Sequence, residues 1–109
     1  MSIYNDITII IVCYKSHDLI KKNLNALKVF KTIIVDNSNC IKTYNLVKNY
    51  DNITLIKTSK NLGYGKANNI GVANANTKFI LILNPDILVD EKSIIALYNK
   101  KNSYDNIGI

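Results

Sequence analysis

Four short runs of apolar, largely β-branched residues recur along this chain of 109 residues, and polar segments separate them. Apolar runs of this length that lack polar alternation are typical of strands covered on both faces of a sheet. Parallel neighbours in such a sheet need a crossover connection, which is usually a helix. The predicted strands cover residues 7–13, 32–35, 53–58 and 79–83.

The segments between the runs carry helical signals. Ser16-His17-Asp18 is a polar trio able to cap a helix start, and apolar residues follow it at 20, 24 and 27, one helical stripe. Further helices are predicted around 44–50, over 66–76 and from 91 to about 100, the last with Asp90 as its cap.

This alternation predicts an α/β fold. We expect three layers: a Rossmann-like, mostly parallel sheet with right-handed crossovers and helices on both faces. The length of 109 residues suits one domain. Residues 105–109 are predicted to begin a further strand.

Composition limits the classes of partner and the location. The net charge is +6, which fits an anionic partner or simply solvated lysines over the surface. No arginine-rich run or basic stripe interleaved with aromatics is present, which disfavours nucleic acid. With no signal peptide and no apolar run near the roughly 20 residues that cross a bilayer, we expect a soluble cytoplasmic protein with reduced cysteines and no zinc site.

Ligands of open parallel sheets bind beyond the carboxyl ends of the strands, and acidic residues follow two of these ends. Asp36 can accept hydrogen bonds from a base or a ribose, or it belongs to a turn whose side chains bond their own backbone. Asp86, beside Pro85, can hold a divalent cation that neutralises a diphosphate, or it caps a strand-ending turn.

The segment 61–71 is unusual in its glycines and asparagines. Gly63 and Gly65 let the backbone approach a ligand, while the following helix offers free N–H groups with Lys66 nearby, which suits phosphate. The alternative is a glycine-rich loop capped by asparagines. Neither GxGxxG nor a P-loop pattern is present, so neither of those geometries is expected.

Four blocks, at 9–14, 33–38, 61–71 and 81–86, together resemble family 2 glycosyltransferases. The Leu83-Asn84-Pro85-Asp86 ending and the paired Asn68-Asn69 are similar to the rhamnosyltransferase-like branch. The resemblance implies a truncated GT-A fold that binds a nucleoside-diphosphate sugar, with Mg²⁺ or Mn²⁺ as the cofactor.

Site residues follow from the resemblance and from the strand ends together. Asp86 corresponds to the metal carboxylate of the family's Asp-x-Asp pattern, and no catalytic residue is assigned. Asp36 is expected to contact the base. The predicted donor-binding residues are Val12, Cys13, Tyr14, Asp36, Asn61, Gly63, Lys66, Asn68 and Asn84.

The sequence departs from the family pattern at three positions. Asn84 replaces the first acid of Asp-x-Asp, and Lys15 stands where an asparagine is common. Asn68 stands where many relatives have an arginine that would face phosphate, and Lys66 is the residue placed to compensate.

The sequence therefore predicts the donor-binding part, residues 1–109, of an inverting glycosyltransferase that transfers a sugar to a glycan or lipid-linked acceptor. The acceptor half and the catalytic base lie outside it, and dTDP-rhamnose as donor follows from the branch analogy alone. Contact with the inner face of the membrane and a homodimer through the incomplete sheet edge are further expectations. A nucleotide-binding or interaction module without catalysis is the alternative. A receiver-like domain is disfavoured because 14–16 offers no acidic cluster.

Overall fold

The computed structural model describes residues 3–103, in which four strands alternate with four helices after a 3-10 turn at Ile3–Asn5. The strands are Ile7–Cys13 (β1), Lys31–Asp36 (β2), Ile53–Lys57 (β3) and Phe79–Ile82 (β4). The helices are His17–Leu27 (α1), Ile41–Val47 (α2), Tyr64–Asn74 (α3) and Glu91–Ser103 (α4). The predicted further strand at 105–109 lies outside the described residues.

The four strands form one parallel sheet in the order β3-β2-β1-β4. Cys13 lies beside Asp36, and Ile10 lies beside Ile82, so the carboxyl ends of the strands reach the same edge. The predicted three-layer α/β fold is confirmed.

Alternate residues of β1 face two different layers. Ile9 and Ile11 pack in a large cluster with side chains of α1, α2 and α4, whereas Ile10 and Val12 pack in a second cluster with Ala67 of α3. All seven residues of β1 are buried, as the unbroken apolar run predicts. The sheet is therefore covered on both faces.

Helix α3 approaches the sheet closely at Gly71. A Cβ atom at this position would lie 2.6 Å from Cγ2 of Ile10. Glycine is thus required here by the distance between the helix and β1.

The helix starts differ from the predictions in detail. α2 begins at Ile41, earlier than predicted, because the backbone N–H groups of Thr43 and Tyr44 already bond to the carbonyl of Cys40. α3 begins at Tyr64, two residues before the predicted start.

The two predicted caps have opposite outcomes. Ser16, the first residue of the trio predicted to cap α1, occupies the N-cap position, but its hydroxyl donates to the carbonyl of Tyr14 and no side-chain cap bond forms. Asp90 caps α4 as predicted, because Oδ1 accepts the N–H of Ser93 at 2.7 Å. This bond lowers the pKa of Asp90. None of the helices within 3–103 has the length and apolar character that a membrane span requires.

Candidate functional site: a cleft at the carboxyl edge of the sheet

A cleft of about 380 Å³ opens at the carboxyl edge of the sheet, beside the end of β1 and the start of α3. Small-molecule sites typically enclose about 300–1,000 Å³, so the cleft has room for a ligand of nucleotide class. Its walls are formed by Val12, Cys13, Tyr14, Ser16, Asn37, Asn61, Gly63, Tyr64 and Pro85.

Five of the nine residues that form this wall were predicted from the sequence, and four were not. Five predicted residues line the cleft: Val12, Cys13, Tyr14, Asn61 and Gly63. Asp36, Lys66, Asn68, Asn84 and Asp86 do not line it. The wall residues absent from the prediction are Ser16, Asn37, Tyr64 and Pro85; each lies within two positions of a predicted residue, and this adjacency was the available signal.

The loop after β1 is held in an unusual backbone conformation. Lys15 has a φ of 52°, in the left-handed region, and its N–H donates to Oγ of Ser38 at 2.9 Å. The N–H of Asn37 also donates to the carbonyl of Cys13 at 2.9 Å. Strained non-glycine residues of this kind cluster at functional sites, where the surrounding bonds fix them. These bonds tie the loops after β1 and β2 together and leave Tyr14 exposed at the cleft.

Asp36 lies beneath this wall and is fully buried. Oδ1 of Asp36 accepts two hydrogen bonds from Ser38, one from the N–H at 2.9 Å and one from the hydroxyl at 2.6 Å. Oδ2 accepts the N–H of Cys40 at 2.9 Å. This is the self-bonded turn that the sequence left open as the alternative. A contact between Asp36 and a base remains a prediction, and it would require the turn to move.

Asn37 joins three chain segments at the base of the cleft. Its Oδ1 accepts the hydroxyl of Thr58 at 3.0 Å and the N–H of Leu62 at 3.4 Å. Its Nδ2 donates to the carbonyl of Gly63 at 3.4 Å. The ends of β2 and β3 and the glycine segment are thereby fixed to one buried side chain.

The glycine segment leads directly into α3. Gly63 has a φ of 83°, which favours glycine, and its N–H donates to Oδ1 of Asn61 at 3.0 Å. A Cβ at Gly65 would meet no atom within 4 Å. Lys66, in the first turn of α3, is exposed.

Asn68 lies one turn after Tyr64 on the same side of α3, on the buried face of the helix. Its Oδ1 is buried and has no hydrogen-bond partner within residues 3–103. A buried acceptor without a partner is uncommon in folded proteins. Asn68 therefore carries unused hydrogen-bonding capacity near the cleft, although it does not form part of the wall.

The segment after β4 carries Asp86, the predicted metal ligand. The N–H of Leu83 bonds to the carbonyl of Ile10 at 2.9 Å, and the hydroxyl of Tyr64 donates to Oδ1 of Asn84. Asp86 is exposed, and its carboxylate has no partner in the described part of the chain. Within that part, no three side chains of His, Cys, Asp or Glu form a group able to hold a metal ion.

These residues fit a divalent cation only in part. Asp86 offers a carboxylate that has no hydrogen-bond partner within residues 3–103, while Oδ1 of Asn84 accepts from Tyr64. Mg²⁺ is usually held by one or two carboxylates together with substrate phosphates and water. The donor set therefore suits a cation shared with a bound diphosphate.

The two cysteines differ in electrostatic environment. Burial raises the pKa of the Cys13 thiol to about 12, and the nearby Asp36 carboxylate contributes further. Hydrogen bonds from the backbone N–H groups of Thr43 and Lys42 lower the pKa of Cys40. Both are free thiols.

The parallel sheet, with helices on both faces and a cleft at its carboxyl edge, defines a Rossmann-like α/β domain. The family model described as Glycosyl transferase family 2 matches residues 8–108. The chain belongs to this family, which confirms that part of the resemblance.

Two known proteins show the extent of the likeness. The low-salt glycan biosynthesis hexosyltransferase Agl10 of Haloferax volcanii is 33% identical over 99 residues, covering 86% of this chain and 32% of that protein. The crystal structure of S. aureus TarS 1-349 superposes with a TM-score of 0.76 at 21% identity, over 92% of this chain and 33% of that one. The chain thus spans about a third of the length of each. The structural likeness supports the GT-A-like fold.

Proposed function

We propose that this chain binds a nucleoside-diphosphate sugar in the cleft at the carboxyl edge of the sheet, as the donor-binding part of a family 2 glycosyltransferase. The observation that carries the proposal is the convergence of three strand ends and the start of α3 on one cleft of about 380 Å³, in a chain of this family. Ligands of open α/β sheets lie at this position.

The residues of the wall suggest how a donor would be held. Val12 and the exposed ring of Tyr14 supply apolar surface for a nucleoside, and Tyr64 faces the same cleft. The backbone N–H groups at the start of α3, with Lys66 in its first turn, favour a phosphate group. Neutral and cationic groups thus lie where a diphosphate would carry its negative charge.

We propose Asp86 as the protein ligand of a Mg²⁺ or Mn²⁺ ion that binds together with the diphosphate. When bound, such an ion neutralises the leaving diphosphate. The exposed, unpartnered carboxylate supports this role, since no bond within 3–103 would have to be broken. Asn84 remains free to donate a hydrogen bond through Nδ2.

The finer parts of the function are proposals as well. We propose a hexose or deoxyhexose donor, with dTDP-rhamnose as the specific case, and a glycan or lipid-linked acceptor. Transfer itself is proposed for a protein that includes an acceptor-binding part. We also propose a cytoplasmic location, contact with the inner face of the membrane, and pairing of two chains through the open sheet edge.

Isothermal titration of the chain with UDP, TDP and GDP, each with and without Mg²⁺ or Mn²⁺, tests the proposal. We expect saturable binding of at least one nucleotide, with higher affinity in the presence of the metal. Asp86→Ala should abolish the increase in nucleotide affinity that the metal produces. The affinity measured without metal should stay unchanged. Asp51→Ala is the matched control, because Asp51 is exposed just before β3, at the opposite edge of the sheet. Absence of binding by all three nucleotides under both conditions would contradict the proposal.

A further inference from the structure

Asn23 is a buried amide on the apolar side of α1. It is 1% exposed, and its buried neighbours on the helix are Ile20, Leu24 and Leu27. Burying an amide in apolar surroundings is unfavourable unless its polar atoms find partners. The partners of Asn23 therefore explain why a polar residue occupies this position.

Both ends of the Asn23 amide bond to backbone groups of the segment between β4 and α4. Nδ2 donates to the carbonyl of Ile87 at 2.8 Å, and Oδ1 accepts the N–H of Val89 at 3.1 Å. These partners are 64 and 66 residues away in sequence. A side chain of the first helix thus fixes a loop that follows the last strand.

Two further hydrogen bonds hold this loop at Asn84: Oδ1 accepts the hydroxyl of Tyr64, and the carbonyl accepts the N–H of Ile87 at 3.1 Å. The side chains of Ile87 and Leu88 are 48% and 69% exposed, so they contribute little packing. Upstream, the buried Leu83 is fixed to the carbonyl of Ile10 by its N–H. Asp86 therefore lies between the attachments at Leu83 and Asn84 and those that Asn23 makes to Ile87 and Val89.

We infer that Asn23 is a positioning residue for Asp86, holding the loop so that the carboxylate stays at the carboxyl edge of the sheet. The inference rests on the proposed function, since it assigns Asp86 to the metal-linked binding of the diphosphate. Asn23 itself touches neither nucleotide nor metal. Its loss should weaken only the contribution of the metal to binding.

The test compares Asn23→Leu with Asn25→Leu, an exposed asparagine on the same helix. Leucine is similar in size to asparagine and suits the apolar side of α1, so Asn23→Leu should still fold. Urea unfolding of both variants checks this. In UDP titrations with and without Mn²⁺, we expect Asn23→Leu to keep the metal-free affinity within twofold. The increase in UDP affinity that Mn²⁺ produces should be at least fivefold smaller in Asn23→Leu than in the wild type. In Asn25→Leu this increase should equal that of the wild type.

A double variant separates positioning from a general effect on the fold. In an Asp86→Ala background, where no gain from Mn²⁺ is expected, adding Asn23→Leu should leave the affinity for UDP within twofold of that of Asp86→Ala alone, because Asn23 acts only through Asp86. An additional loss would contradict the inference. A full gain from Mn²⁺ in Asn23→Leu would overturn it while leaving the proposed function intact.

Hydrogen exchange of the wild type gives a readout that needs no variant. The amide of Val89 should exchange at least tenfold more slowly than that of Leu88, for which no acceptor is found within 3–103. Equal exchange rates would overturn the attachment by Asn23 even if nucleotide binds. A wild type that binds UDP neither with nor without Mn²⁺ would overturn the proposed function and, with it, the role of Asn23.

Discussion

The hydroxyl of Tyr64, at the first position of α3, donates a hydrogen bond to Oδ1 of Asn84, two residues after β4. This bond links the wall of the cleft to the segment that carries Asp86. Because it occupies the amide oxygen, it leaves the Asn84 NH₂ group as a donor. With its oxygen occupied, the Asn84 side chain is better suited to donate a hydrogen bond than to coordinate a metal ion.

Introducing an acid at position 84 should increase the contribution of a metal ion to nucleotide binding. In Asn84→Asp, one carboxylate oxygen can still accept from Tyr64 while the other becomes available to a cation. We expect the gain in nucleotide affinity from Mn²⁺ to rise on the order of tenfold, or about 1.4 kcal/mol. Calorimetric titration measures it.

Asn45→Asp controls for the added charge, since Asn45 is exposed on α2. An equal increase in both variants would show that net charge, and not position 84, produces the effect.

Asp36→Asn should destabilise the fold. The amide can replace only one acceptor oxygen, so its NH₂ group would face either the N–H of Cys40 or the two donors of Ser38. Leaving a buried donor unsatisfied costs about 1–3 kcal/mol. Urea unfolding measures the free energy of unfolding, and Asp51→Asn, at an exposed position, should lie within about 0.5 kcal/mol of the wild type.

Two glycines of α3 should respond oppositely to alanine. In Gly71→Ala the new methyl would meet Cγ2 of the fully buried Ile10 at 2.6 Å, and overpacking of this kind costs about 1–3 kcal/mol. In Gly65→Ala the methyl meets nothing within 4 Å, and the helix propensity of alanine stabilises by up to about 1 kcal/mol. Thermal unfolding of the pair tests this; a stabilised Gly71→Ala would contradict the close approach of α3 to β1.

The two thiols should differ in their reactivity across pH. The pKa of Cys40 is lowered, so its reactive thiolate should form below the pH that an ordinary cysteine requires. Cys13 is buried with a pKa of about 12 and stays protonated through neutral and mildly alkaline pH. Iodoacetamide between pH 7 and 9, followed by mass spectrometry, should modify Cys40 and spare Cys13 until urea unfolds the chain. Equal labelling of both in the native state would contradict this.

The layered fold could be predicted because each strand is a short apolar run, and such a run by itself indicates burial on both faces of a sheet. The run at 7–13 contains almost no polar residue, and the structure buries all of it. The strand ends predicted the edge with the cleft, where Tyr14 and Asn61 lie, and the glycine-rich segment predicted Gly63.

The sequence could not predict which way the polar side chains point, because their direction depends on hydrogen-bond partners elsewhere in the fold. Asp36 ends a strand at the ligand-binding edge, yet it turns inward to the N–H groups of Ser38 and Cys40. Asn23 lies on the apolar side of α1, but its role could not be predicted because its hydrogen-bond partners come 64 and 66 residues later. Position along a strand was predictable, whereas the network of buried polar bonds was not.

The most direct test of the account is an NMR titration of the ¹⁵N-labelled chain with UDP, TDP or GDP in the presence of Mg²⁺. We expect amide shifts at the cleft, at Tyr14, Gly63 and Tyr64, and at Asp86, with the amides of Asp51 and Asn74 at the opposite edge unchanged. Shifts confined to that opposite edge, or none with any of the three nucleotides, would contradict it.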